Sequence, residues 1–170
     1  MHNALSSCML DFLKIVDMEG FMLKKVLALS LLLPLATMVS AHDGMIHVKS
    51  QHSVTDTADK LVKILSEKGM TIFNRIEHSQ AAEKVGVTIP ATTLVVFGNP
   101  KIGSPLMKCA PSVAIDLPQK ALIAEDADKV VWISYNDPEY LKKRHSIEGC
   151  DKVLNKVSGA LNKFATAAAK

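Results

Sequence analysis

A chain of 170 residues that is 48% hydrophobic and 22% charged has the size and composition of one globular domain, which excludes a disordered or fibrous protein. Its net charge of +3 comes from basic residues scattered along the sequence, and the few aromatics do not interleave with them. That pattern argues against a nucleic-acid-binding surface.

The first feature in chain order is an apolar run from Val26 to Val39, preceded by Lys24 and Lys25 and closed by Val39-Ser40-Ala41. A charged start, a short apolar centre and a small-x-small end are the parts of a secretory signal, so residues 22–41 are expected to be a signal peptide cleaved after Ala41. The run falls short of the ~20 apolar residues that span a bilayer, and Pro34 interrupts it, which argues against a retained membrane anchor. A signal begins close to its basic region. Met22 is therefore the expected start of translation, with residues 1–21 an upstream extension outside the exported chain. The mature domain, 42–170, is expected in the periplasm. Residues 1–41 contain Lys14, Lys24 and Lys25 against Asp11, Asp17 and Glu19, so their removal leaves the net charge unchanged.

Met45 to Gln51 alternates Ile46 and Val48 with His47 and Lys49, the period of a half-buried strand. A helix follows, with Ser53 or Thr55 as cap, Ala58, Leu61, Val62 and Leu65 on one face, and Gly69 as the stop. Met70 to Glu77 reads as a second strand and Ser79 to Val85 as a short helical turn ended by Gly86. The run Leu94-Val95-Val96-Phe97 is apolar on both faces and rich in β-branched residues, so Thr92 to Phe97 is expected to be a buried interior strand. Gly98-Asn99-Pro100 ends it. Ser104-Pro105 has the cap-then-proline character of a short helix start. Val113 to Leu117 and Ala121 to Ala124 read as strands divided by Pro118, and Val130 to Tyr135 as another beyond an Asp-rich turn. Asp137-Pro138-Glu139 starts a helix. From about Asp151, Val153, Leu154, Val157, Leu161, Phe164, Ala165 and Ala168 form the apolar stripe of a terminal helix. Strand, helix, several sequential strands and helix together predict an α+β domain, a two-layer sandwich of a mostly antiparallel sheet with helices on one face.

Cys8 precedes the cleavage point, leaving Cys109 and Cys150 in a compartment where disulfides persist. A bridge between them would close a loop of about 40 residues and stabilise by about 4 kcal/mol. Buried free thiols are the alternative.

Thr92 to Pro100, with Gly103, Leu106-Met107 and Ile115-Asp116-Leu117-Pro118 after it, resembles the bacterial domain of unknown function 302 (DUF302). Phe73 to His78 with Ala81-Ala82, the strand Trp132 to Tyr135 with Asp137-Pro138, and His145 extend the likeness over nearly the whole mature chain. The resemblance implies a strand-helix-four-strand-helix order like that of the TATA-binding-protein superfold, and it implies no reaction. Likeness to a DNA-binding fold does not transfer DNA binding.

Four candidate sites follow. Gly98 to Ser104 has the glycine spacing of a phosphate-binding loop, but Ser104 stands where that loop needs lysine and Pro100 removes a donor, so no nucleotide site is expected. A small-molecule pocket is expected near the end of the interior strand, with His78, Phe97, Asn99, Asp116 and Tyr135 as its residues, in an accessory or binding protein without catalysis. The enzymatic alternative is a hydrolase using His78 as general base, although no nucleophile-base pair is visible. Cleavage after Ala41 would also give His42 a free amine beside its imidazole, near His47 and His52, a donor set suited to copper. No other cofactor is expected.

Overall fold

The computed structural model describes residues 44–170, which belong to one compact unit, His42–Lys170. The expected signal peptide 22–41, the stretch 1–21 before it with Cys8, and His42 lie outside the described residues. Strand β1 (Met45–Lys49) leads into helix α1 (Val54–Glu67), capped by Ser53, whose Oγ accepts the Asp56 N–H at 3.1 Å. Val54, Ala58, Leu61 and Leu65 form the buried stripe that the sequence spacing predicts. Leu61 and Leu65 are fully buried, and each contributes about 1.5–3 kcal/mol. Gly69, at φ +72°, supplies the left-handed residue that ends the helix.

Four strands then follow as a meander: β2 (Thr71–Glu77), β3 (Thr92–Gly98), β4 (Gln119–Glu125) and β5 (Val131–Asn136). All neighbours are antiparallel and the order is β1-β5-β4-β3-β2, so β1 and β2 are the two edges and α1 must cross the sheet to connect them. Short helix α2 (His78–Glu83) follows β2, helix α3 (Pro100–Cys109) and a 3-10 turn (Pro111–Ile115) separate β3 from β4, and α4 (Pro138–Arg144) leads to the long terminal α5 (Asp151–Ala169). This is an α+β two-layer sandwich.

The core lies between the sheet and the α1–α5 layer. Val95 pairs with Ala121, Ala121 with Tyr135 and Ile123 with Ile133, and all five are buried on the helix-facing side. Alternate residues Leu94, Val96, Leu122 and Trp132 are half-buried on the other side, which explains why β3 reads as apolar on both faces. Leu154, Val157, Leu161, Ala165 and Ala168 seat α5 in the same core.

Two expectations are corrected. Val113 to Leu117 is not a strand: Pro111 opens a 3-10 turn there, and burial repeats every three residues, with Val113 and Asp116 inside and Ser112 and Ile115 outside. Helix α3 begins at Pro100 instead of Ser104-Pro105. Asn99 is the cap and Pro100 the first helical residue, the same cap-then-proline signature five residues earlier in the chain.

Candidate functional site

The turn between β3 and α3 is held by one side chain. Asn99 Oδ1 accepts the Lys101 N–H at 2.9 Å and its Nδ2 donates to the Gly69 carbonyl at 3.0 Å, tying the start of α3 to the end of α1. Gly98 allows a close approach beside it: a Cβ there would lie 3.4 Å from Phe73 Cε2 and 3.5 Å from Pro118 Cβ. Phe73 sits at a bulge between Ile72 and Asn74 that breaks the β2 register, and it is 54% exposed.

Behind this turn, α3, the 3-10 turn, α5 and the adjoining strand ends enclose a cavity of about 590 Å³, within the range of small-molecule sites. Phe73, Ile102, Leu106, Met107, Leu117 and Phe164 supply most of its wall. Asn99, Ser104, Gln119, Lys68 and Lys156 supply the polar groups, and among the described residues no carboxylate, imidazole or thiol lines it. Such a set can enclose and orient a ligand. It lacks the paired nucleophile and base of covalent catalysis.

Cys109 at the end of α3 and Cys150 just before α5 come to disulfide distance, with Cα atoms 6.5 Å apart. The link would join the two helices that wall the cavity.

The expected site residues do not converge. Asn99 lines the cavity. Phe97 and Tyr135 lie in the core, 1% and 3% exposed. His78 follows Glu77, which pairs with Thr93, whereas Thr71 pairs with Gly98, so His78 stands at the far end of the β2–β3 ladder, roughly 20 Å from Asn99 along the strand. Asp116 is engaged elsewhere. Its Oδ2 accepts from His145 Nε2 at 2.6 Å and lies 3.5 Å from Arg144 Nε. Ser112 Oγ lies 3.1 Å from His145 Nδ1, completing a Ser-His-Asp chain. Residues three apart eclipse in a 3-10 turn, so Ser112 shares the solvent face with exposed Ile115, while Ala114 and Leu117 face the cavity. Ser112 is thus turned away from the enclosed space.

Among the described residues, no three His, Cys, Asp or Glu side chains group to hold a metal, and no helix is long and apolar enough to cross a membrane. His47 Nδ1 is engaged with Ser134 Oγ at 2.7 Å across the β1–β5 pair.

Lys68, Lys156 and Gln119 were not singled out from sequence. The lysines carry no local signal. Gln119 does: it occupies the same phase of β4 as buried Ala121 and Ile123, and a polar residue in a buried phase calls for an explanation.

Residues 46–164 match the family described as "Domain of unknown function DUF302". A 136-residue stretch is 35% identical to "Fluoride-specific ion channel FluC 1" of Brucella suis biovar 1, covering 78% of this chain and 53% of that protein. The protein of the same name from Brucella abortus biovar 1 is also 35% identical, over 78% of this chain and 50% of its own length. The chain spans about half the length of these curated relatives. The crystal structure of an uncharacterized conserved DUF302 protein from Bacillus stearothermophilus superposes with a TM-score of 0.67 at 12% identity, covering 74% of this chain and 98% of that one. That likeness concerns the fold alone.

Proposed function

The chain belongs to the DUF302 family, and for this member we propose an exported accessory domain that holds a small, mostly apolar molecule in the cavity behind Asn99 without catalysing its conversion. The observation that carries this reading is the cavity itself, about 590 Å³ and walled chiefly by apolar side chains from several elements. Apolar walls with a few fixed polar groups are the usual form of a binding site. Export rests on the Lys24-Lys25 start, the apolar run and the Val39-Ser40-Ala41 end.

Native mass spectrometry of protein recovered from the periplasm tests both parts. A chain beginning at His42 and carrying an additional organic mass is expected. A chain retaining residues 22–41 would overturn export, and protein that carries no mass and fails to bind the apolar dye N-phenyl-1-naphthylamine would overturn the ligand site.

The Brucella relatives favour a second reading. Proteins named as fluoride-specific ion channels contain a stretch similar to this domain as about half of their length, so the domain would work beside a membrane channel. A strain lacking the domain should then grow less well on fluoride than its parent, and equal growth would end this reading.

A further inference from the structure

We infer that the cavity's ligand is a single-chain anionic amphiphile, with its aliphatic chain against the apolar wall and its acid group at Lys68 and Lys156. The inference rests on the cavity being a ligand site, as proposed above, and adds the chemistry of what fills it.

Three observations converge on that chemistry. The wall of Phe73, Ile102, Leu106, Met107, Leu117 and Phe164 offers no hydrogen bonds from its side chains, so the bulk of the ligand must be hydrocarbon. Lys68, after α1, and Lys156, on α5, come from separate elements yet line the same space; both are exposed, and neither side chain pairs with an acid or donates a hydrogen bond among the described residues. Their aliphatic stems can lie along an apolar rim while the ammonium groups meet an anion. Among the described residues no carboxylate lines the cavity, so none of them would attract a cation there or compete with an anionic ligand for the two lysines.

The third observation is Gln119. It is 7% exposed, lines the cavity, and its side-chain amide has no hydrogen-bond partner among the described residues. Its amide is accessible within the cavity, where a carboxylate, phosphate ester or hydroxyl on the ligand would bond it in place of water. A plain hydrocarbon would fill the walls and leave Gln119 and both lysines unanswered. A compact phosphate or nucleotide would leave the apolar wall facing polar atoms. A hydrocarbon chain ending in an acid matches all three.

The test uses the whole mature chain and displacement of N-phenyl-1-naphthylamine by four twelve-carbon probes: dodecanoate, dodecyl phosphate, dodecanol and dodecyltrimethylammonium. One or both anions are expected to bind about tenfold or more tightly than the alcohol, with the cation weakest, and the advantage should shrink as salt rises. Lys68→Glu with Lys156→Glu, two exposed changes that leave the core intact, should abolish the advantage of the anions over dodecanol. Gln119→Met should weaken the anions with the fold retained by circular dichroism. Equal binding of the alcohol and the anions, or an unaltered preference in the double variant, would overturn this inference while the cavity remains a ligand site. Failure of all four probes and of the dye would instead remove the ligand site itself.

Discussion

His145 donates through Nε2 to Asp116 Oδ2 at 2.6 Å, joining the residue that ends α4 to the residue that ends the 3-10 turn, although the two lie 29 positions apart. Both side chains are close to fully buried, at 5% and 11% exposure. Because the turn also carries Ala114 and Leu117 on the cavity side, this bond braces one wall of the cavity from behind.

Removing either partner leaves the other buried without its bond. Asp116→Ala or His145→Ala should therefore cost about 1–3 kcal/mol in urea unfolding, and the double variant should cost less than the sum of the two. Ser112→Ala, at an exposed hydroxyl, should cost about 0.5 kcal/mol or less. Full additivity of Asp116→Ala and His145→Ala would show that the two do not act as a pair.

Tyr135 gives a pH prediction. Its hydroxyl is buried and makes no hydrogen bond of good geometry; burial raises its phenol above the ordinary value of 10.0, the Asn162 contact lowers it and Asp137 raises it further. A raised folded value means that stability from this group is complete below about pH 10 and is lost as the pH climbs through the folded value. Tyr135→Phe removes both the ionisation and the unpaired hydroxyl. The variant should be more stable by about 1 kcal/mol near neutral pH and lose less stability above pH 10. Urea midpoints measured across that range decide it, and a variant less stable than the parent would show that the hydroxyl has a partner.

The Cys109 and Cys150 pair is separated by 41 residues in sequence, so a bridge should contribute about 4 kcal/mol on the chain-entropy account. Replacing both by serine should lower stability by an amount of that order. The same change should weaken ligand binding, because the link joins α3 to the start of α5, the two helices that wall the cavity. Two titratable thiols in the native protein would show that the residues are not bridged.

Much of the fold was legible because its signals are local. Ser53, the Ala58-Leu61-Leu65 spacing and Gly69 each act within a turn or two, and they define α1 as found. The strand read into Val113 to Leu117 arose because Val113, Ile115 and Leu117 alternate with Ala114 and Asp116; the same residues satisfy a three-residue period, and Pro111 decides between them. The site was legible only at Asn99. Three of its other polar groups, Lys68, Gln119 and Lys156, come from three elements whose meeting depends on the tertiary fold. Asp116, expected to face the same space as Asn99, is delivered by the 3-10 turn to His145 instead.

Gly103 offers the sharpest separation of fold from binding. It lies within α3 and lines the cavity, and a Cβ there would sit 3.6 Å from Leu117 Cδ1, an ordinary contact. Gly103→Ala should therefore fit, and by restricting the unfolded chain it should stabilise the domain by about 0.5–1 kcal/mol. Gly103→Phe sends a ring in the same direction, toward the cavity wall formed by Leu117. It should keep the circular dichroism of the parent and lose most dye and dodecanoate binding. If the Phe variant folds and binds both probes like the parent, the space between α3 and α5 is not where they bind.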